Sequence, residues 1–156
     1  MIDRPVRRSD RMISVEDAIA VLKAADYGFL STVSSDGSPY GIPLSFVYIN
    51  DALYFHCAPE GHKLDNILQN PEVCFCAVSQ AETLADKFSV RYASAAVFGT
   101  AEVIKDDTEK RAALVALIEK YSPGHIPAGM DYINRDFHKP LVVKITIQKI
   151  SGKARK

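Results

Sequence analysis

The stretch GFLSTVSSDGSPYGIPLSFVYINDALYFHCA, residues 28–58, decides the fold class, because it predicts three β-strands separated by short turns. Runs of β-branched and aromatic residues alternate here with turn-forming residues, among them the tight turn Asn50-Asp51. Strands that follow each other this closely must pair antiparallel, because parallel neighbours need a long crossover between them. The three predicted strands are Gly28–Val33, Tyr40–Ile49 and Ala52–Ala58.

Outside this stretch, the hydrophobic periodicity predicts three more strands and three helices. The strands are Val73–Ser79, Phe88–Ile104 (as one strand, or as two broken near Gly99) and Leu141–Ile150. The helices run from a Ser14 cap to about Asp26, from His62 to Gln69, and from Asp106 to Tyr121. Residues 80–87 predict a loop or a helical turn, and Ser122–Lys139 an irregular connection. We therefore expect a mainly β (α+β) fold, a six-stranded antiparallel barrel with peripheral helices.

Composition places the chain among ordinary globular proteins. Its 156 residues are 47% apolar and 24% charged, which predicts one domain over residues 1–156. Lysine plus arginine equals aspartate plus glutamate, at 19 each, so net charge gives no sign of nucleic acid or of an anionic membrane. No run approaches the roughly 20 apolar residues of a membrane helix. Three cysteines make no secreted disulfide framework, and Met1–Pro5 lacks the apolar run of a signal peptide, so cytoplasmic residence is the default expectation.

The predicted hairpin around Asn50-Asp51 has two different faces. If the loop is two residues long, Ser45 lies opposite His56 and Leu44 opposite Cys57. The core face would then hold Leu44, Phe46, Tyr48, Leu53, Phe55 and Cys57. The other face would hold the small or polar residues Pro43, Ser45, His56 and Ala58. Such a flat face is either a ligand platform or merely an exposed sheet surface.

The start of the second predicted helix is an unusual place for cations. Helix N-termini carry partial positive charge and favour anions by roughly 0.3–1 kcal/mol, yet Gly61 is followed here by His62 and Lys63. Both side chains make sense if backbone N–H groups, Lys63 and His62 converge on a phosphate. Asn66 lies on the same flank and could hydrogen-bond the ligand. The alternative is that all three side chains simply face water.

Ser94–Gly99 is unusually small-chained for a strand. Such a stretch allows the close approach of a flat ligand or of a second subunit, and it is equally compatible with tight packing inside a barrel. Cys74 and Cys76 share one strand face, but no second ligand pair completes a zinc set, so we expect no metal.

Several strings together resemble the flavin-binding split barrels grouped with pyridoxamine 5′-phosphate oxidase, in particular the branch named for 5-nitroimidazole antibiotic resistance proteins. Gly61–Ile67 is the most specific of them, and the resemblance spans roughly residues 10 to 155. The other strings are Tyr27–Val33, Asp36-Gly37, Pro39–Pro43, Tyr54–Glu60, Asn70-Pro71, Val97–Gly99 and Ile150–Lys153.

The resemblance implies a six-stranded split barrel, a homodimer, and FMN held between the subunits. It implies that the phosphate lies at Gly61, His62 and Lys63, and that the isoalloxazine ring lies along Ile42–Phe46, which includes Pro43, Leu44 and Ser45. Residues matching Ser94–Val97, Ala96 among them, would help to wall the site, in one arrangement from the partner chain. The arginine-rich phosphate motif of pyridoxamine-phosphate oxidases proper is missing, so we do not expect vitamin B6 oxidation.

The function that follows is reduction of small electron-poor substrates, such as nitroimidazoles, by FMN. His62 is the predicted proton donor near the substrate, because histidine exchanges protons near neutral pH. Two alternatives stay open: a flavin-binding protein with little turnover, serving storage or redox sensing, and a barrel that binds haem or a deazaflavin through His56 or His62.

Overall fold

The computed structural model describes residues 6–155, and this part of the chain forms one antiparallel sheet of eight strands with four α-helices. In chain order the elements are β1 (Met12–Ile13), α1 (Val15–Ala24), β2 (Gly28–Val33), β3 (Pro39–Leu44), β4 (Val47–Ile49), β5 (Ala52–Cys57), α2 (His62–Gln69), β6 (Glu72–Leu84), β7 (Ser89–Val103), α3 (Asp107–Tyr121), α4 (Ile126–Asp136) and β8 (Leu141–Arg155).

The sheet curls on itself. Its strand order is β3-β2-β6-β7-β8-β5-β4, with β1 paired to β8. Strands β3 and β4 are at opposite ends of this order, yet only Ser45 and Phe46 separate them in the chain. The two edges of the sheet must therefore meet at these residues, which makes the sheet a barrel that is split there. The predicted antiparallel α+β class is confirmed.

The strand count is eight rather than the predicted six, for two reasons. Strand β1 is only two residues long, too short for a periodic signal. The predicted strand Tyr40–Ile49 is also interrupted, because Ser45 and Phe46 leave the ladder between β3 and β4.

Two hydrophobic clusters hold the fold together. One fills the barrel under α1 and α2, with Leu30, Leu53 and Phe75 fully buried. The other lies between the barrel wall and the helices α3 and α4, around Tyr54 and Val142. The predicted core face of the hairpin is confirmed: Phe46, Leu53, Phe55 and Cys57 are buried, and Leu44 and Tyr48 pack against them.

Helix α3 begins where the sequence predicts it and is tied to the barrel by polar contacts. The Asp106 side chain accepts a hydrogen bond of 2.7 Å from the backbone N–H of Glu109 and so caps the helix. The Glu109 carboxylate in turn accepts from the Tyr54 hydroxyl at 2.7 Å and pairs with Lys144 at 2.8 Å. These contacts fix α3 against β5 and β8.

Two loop predictions need correction. Within residues 80–87, β6 continues to Leu84 and pairs with β7 as a two-stranded ribbon, and only Ala85–Lys87 form the helical turn that the sequence predicts as one alternative. The ribbon is largely exposed on both faces, so its sequence has no apolar alternation to signal it. The predicted connection Ser122–Lys139 contains a short 3₁₀ turn and α4, whose first turn accommodates Pro127 because an N–H there has no helical partner.

The strand predicted over Phe88–Ile104 is a single strand, β7, whose register against β8 shifts between Phe98 and Gly99. A side chain at Gly99 would collide with the backbone oxygen of Thr146, which explains the glycine. None of the helices within residues 6–155 is long and apolar enough to cross a membrane.

Candidate functional site

The hairpin β4–β5 turns where the sequence predicts it. Asn50 and Asp51 both have positive φ, at 48° and 57°, as a two-residue hairpin loop requires, and Val47 pairs with Tyr54. The ladder stops at that pair, so the predicted pairings of Ser45 with His56 and of Leu44 with Cys57 do not form. Leu44 pairs with Gly28 of β2, and His56 pairs through the other edge of β5 with Val142 of β8.

The Tyr121 hydroxyl explains why the strand breaks at Ser45 and Phe46. It accepts a hydrogen bond of 2.9 Å from the Phe46 N–H and lies 2.7 Å from the carbonyl oxygen of Asp26, to which it donates. The Lys120 ammonium donates to the Phe46 carbonyl at 3.0 Å and lies 4.1 Å from the centre of the Phe46 ring. The C-terminal end of α3 thereby replaces the ladder partners that this backbone lacks.

A cavity of about 670 Å³ lies between α3, α4 and the end of β5. Four predicted site residues line it together: Ser45, His56, Cys57 and Ala58. These four residues therefore lie close together, although the predicted pairing of Ser45 with His56 does not form. The rest of the lining is mainly apolar and comes from the two helices, including Leu114, Leu117, Ile118, Ile133 and Phe137.

The polar groups of this cavity carry little uncompensated charge. Burial by surrounding atoms lowers the pKa of His56, although its side chain keeps an exposed surface, so the imidazole is neutral at pH 7. Burial raises the pKa of the Cys57 thiol, and the nearby charge of Lys63 opposes that shift. Asp136 pairs with Lys139 at 2.7 Å and with Arg135 at 3.1 Å, and these contacts lower its pKa.

The start of α2 is open to an anion. Gly61 precedes the helix with φ 131° and contributes no side-chain cap. The first intrahelical bond joins the Leu64 N–H to the Gly61 carbonyl at 2.8 Å, so the N–H groups of His62 and Lys63 precede the helical ladder. The exposed imidazole of His62 lies 2.9 Å from the Ser34 hydroxyl and 4.1 Å from the Tyr40 ring centre.

The buried side chain of Asn66 is hydrogen-bonded to the barrel. Its side chain is 3% exposed, and its amide donates to the Thr32 hydroxyl at 2.9 Å and to the Ser34 hydroxyl at 3.3 Å. These bonds fix α2 against β2. The structure thus gives Asn66 a positioning role for the Gly61–Lys63 turn.

Other predicted residues lie on the strands around this turn and on the outer face of the sheet. The side chains of Ile42 and Leu44 pack toward the barrel core. Pro43 faces outward. It pairs with Phe29 of β2, Phe29 pairs with Cys76 of β6, and Cys76 pairs with Ala96 of β7. Pro43 and Ala96 are therefore three strand spacings, or about 14 Å, apart.

Ser94 and Ala96 line a separate depression of about 960 Å³ on the outer face. It shares no lining residue with the α3–α4 cavity. On strand β8 the partner of Cys57 is Leu141 and the partner of Ala96 is Ser151, ten residues or about 30 Å of extended strand apart. One chain therefore presents its predicted site residues at the α3–α4 cavity, at the α2 start and on the outer face of the sheet.

Sequence reasoning missed the part of the cavity that α4 supplies. Ile126, Met130, Ile133 and Phe137 recur at helical spacing, which is the signal that could have revealed the helix. Pro127 and Gly129 obscured it. A side chain at Gly129 would collide with Ile118 of α3, so this glycine permits close helix packing. Within residues 6–155 no group of three or more His, Cys, Asp or Glu side chains could hold a metal ion.

Comparison with known proteins identifies relatives of this architecture. A candidate 5-nitroimidazole antibiotic resistance protein from Bacteroides thetaiotaomicron is 28% identical, with a TM-score of 0.75 over 91% of this chain and 85% of that one. A FAD-binding protein from Mesorhizobium loti is 24% identical, with a TM-score of 0.69 over 94% of this chain and 98% of that one. A FAD and heme binding protein from Mycobacterium smegmatis is also 24% identical, with a TM-score of 0.75 over 92% and 72%. No curated protein matches the chain.

The family model described as pyridoxamine 5′-phosphate oxidase matches residues 14–154. This range contains the barrel, the open start of α2 and the α3–α4 cavity. The resemblance that the Gly61–Ile67 string predicts is therefore confirmed, and the chain belongs to the pyridoxamine 5′-phosphate oxidase family.

Proposed function

We propose that this protein binds FMN between the subunits of a homodimer and uses it to reduce small electron-poor molecules, of which nitroimidazoles are the nearest example. The observation that carries the proposal is the open start of α2, where Gly61 leaves backbone N–H groups uncapped beside Lys63. A phosphate at this position would accept hydrogen bonds from the backbone and meet both the helix dipole and a lysine.

The hydrogen-bond donors at the α2 start suit the phosphate of a flavin mononucleotide. The α2 start offers one anion site, and strands β3 and β5 lead away from it with backbone groups that could face a planar ring. The small residues Ser45 and Ala58 leave room for that ring at the mouth of the α3–α4 cavity. Flavin-binding neighbours of the same fold add support. Since two of them are described as binding FAD, the choice of FMN rests on the α2 start being the one anion site identified within residues 6–155.

Bound flavin would supply hydride or single-electron transfer, and the chain would supply binding and orientation. Lys63 would neutralise phosphate charge. The Tyr121 hydroxyl accepts the hydrogen bond of the Phe46 N–H, and it would thereby keep the neighbouring backbone at Ser45 out of the sheet and accessible to the ring. His62 lies at the phosphate turn, 2.9 Å from the Ser34 hydroxyl and outside the α3–α4 cavity, and we propose that it binds the phosphate together with Lys63.

The way the predicted site residues are divided over one chain supports the proposed homodimer. Ser94 and Ala96 lie in the outer depression, away from the cavity that Ser45 and His56 line. A partner related by two-fold symmetry would bring the outer face of one chain against the α2 start of the other. That face is suited to contact, because Phe29 is 49% and Tyr27 56% exposed beside small strand residues.

The cofactor test is the visible spectrum of the purified protein after supplementation with FMN and FAD. We expect a yellow protein that releases FMN on denaturation and is reduced by NADH or NADPH. FAD, haem or no cofactor would contradict the FMN assignment. If the protein binds FMN but does not reduce a nitroimidazole, the result would favour a flavin-storage or redox-sensing function.

The dimer test is light scattering of the wild type and of Ala96→Arg, with Ala112→Arg as the matched control. Ala112 is exposed on α3, away from α2 and from the outer face, and lines neither cavity, so its variant should stay dimeric. We expect Ala96→Arg to give monomers that lose FMN, because a buried unpaired charge would separate the subunits. A monomeric wild type that still binds FMN would refute the interfacial site.

A further inference from the structure

We infer that the α3–α4 cavity is a binding site for an uncharged, mostly apolar molecule that forms one hydrogen bond with His56. Its assignment as the substrate pocket rests on the proposed flavin function, whereas its ligand class rests on the cavity alone. The volume of about 670 Å³ lies in the range of small-molecule sites and exceeds what a single five-membered ring would fill. Fused aromatic ring systems fit this space better.

The walls of the cavity determine the apolar character of the ligand. Leu117 and Ile133 line the cavity from the two helices, and Phe137 lines it from the end of α4. An apolar guest would gain free energy by covering the part of this apolar lining that is still exposed to water. Helix α3 is itself fixed to the barrel through Glu109, so the wall is preformed and little ordering accompanies binding.

The charges of the cavity determine that the ligand is neutral. The Asp136 side chain is 11% exposed, but its charge is already compensated by Lys139 and Arg135, and Lys139 is 78% exposed, so neither group is an unpaired buried partner for an ion. His56 is neutral at pH 7 and can donate one N–H or accept one hydrogen bond. Of the two histidines near the site, His56 lines this cavity, whereas His62 contacts Ser34 and Tyr40 outside it.

The experiment uses two fluorescent probes with the same ring framework on flavin-free protein. N-phenyl-1-naphthylamine is neutral, and 8-anilino-1-naphthalenesulfonate adds a sulfonate. We expect the neutral probe to bind roughly tenfold tighter or better, because the sulfonate would be buried without a counter-ion. Loading the protein with FMN should leave the neutral probe bound, because the ring is proposed at the mouth of the cavity and the probe between the helices inside it.

A filling variant locates the probe. Ala58→Phe places bulk at the exposed mouth of the cavity without disturbing the core, and we expect it to weaken the neutral probe roughly tenfold. Ala112→Phe is the matched control, because Ala112 is exposed on α3 and does not line the cavity. Thermal melting of both variants verifies that they fold.

A second pair of competitors tests His56. Naphthalene and 1-nitronaphthalene differ only in the nitro group, which can accept a hydrogen bond. His56→Phe should weaken 1-nitronaphthalene roughly two- to tenfold and leave naphthalene unchanged, and His56→Gln should restore part of the difference.

The outcomes separate this inference from the proposed function. Displacement of the neutral probe by FMN would make the cavity part of the flavin site and overturn the inference while leaving the flavin function intact. Equal binding of both probes, or equal weakening by Ala58→Phe and Ala112→Phe, would also overturn it. Selective probe binding by a protein that takes up no flavin would support the pocket and contradict the proposed function.

Discussion

Replacing Lys63 by alanine should weaken FMN and spare riboflavin. A hydrogen bond to a charged group contributes about 1.5–3 kcal/mol. Lys63 is only half-buried, so solvent screening places the expected loss near the lower end, at about 1.5–2 kcal/mol. The N–H groups of His62 and Lys63 remain in the variant and still meet the phosphate. The affinity for FMN should therefore fall roughly tenfold to thirtyfold.

The assay is fluorescence titration of flavin-free protein with FMN and with riboflavin, at low and at moderate salt. Riboflavin lacks the phosphate, so wild type and Lys63→Ala should bind it almost equally. The loss for FMN should shrink as salt rises, because screening weakens the ion pair. Lys105→Ala removes an exposed lysine that lines neither cavity, and it controls for a general change of charge.

Equal losses for FMN and riboflavin would refute the reasoning, since a general packing defect weakens both ligands together. So would an unchanged affinity for FMN, which would place the phosphate away from the α2 start. Lys63→Arg is informative in either case: it keeps the charge and should recover most of the FMN affinity if the phosphate lies there.

Three further predictions concern stability. Asn66→Ala should lower the free energy of unfolding by about 1–3 kcal/mol in urea titrations, because the buried hydroxyl of Thr32 loses its 2.9 Å partner; an unchanged midpoint would contradict the positioning role. Tyr121→Phe should cost about 1 kcal/mol or more by leaving the Phe46 N–H without its acceptor, and protection of that amide in hydrogen exchange should fall with it. The pKa of His56 lies below its ordinary value of 6.5, so the unfolded chain takes up the proton first and stability should fall as pH drops from about 7 to 5; urea midpoints of His56→Gln should show a flatter slope over that range.

Local chemistry was enough to predict the elements whose signals lie within a few residues. The Asn50-Asp51 turn, the Ser14 and Asp106 caps and the start of α2 at Gly61 all appear where the sequence predicts them. Each depends on a side chain or a backbone angle at the element's own end. The antiparallel class follows from the short spacing between strands for the same reason.

The break between β3 and β4 could not be predicted locally. Tyr40–Ile49 has continuous β-forming character, and the group that interrupts its ladder, the Tyr121 hydroxyl, is 75 residues away from Phe46 in sequence. The role of Asn66 was missed for the same reason. Its partners Thr32 and Ser34 lie on a different element, so an exposed ligand-binding side chain and a buried structural one look identical in sequence.

The segment that was hardest to predict is the one that shapes the cavity. Helix α4 contains Pro127 and Gly129, which are residue types typical of loops. The helix accommodates Pro127 because its first turn tolerates a missing N–H, and it needs Gly129 because Ile118 of α3 packs against that position. The same close packing of α4 on α3 holds Ile133 opposite Leu117 and so creates an apolar wall outside the barrel. Under the proposed function, the barrel and the α2 start would bind the phosphate-bearing cofactor, whereas α4 would shape the pocket that the substrate enters. Substitutions in α4 that preserve Pro127 and Gly129 should therefore change ligand selection while leaving the FMN affinity intact, and this is the expected result for Ile133→Val, which enlarges the cavity by a single methylene.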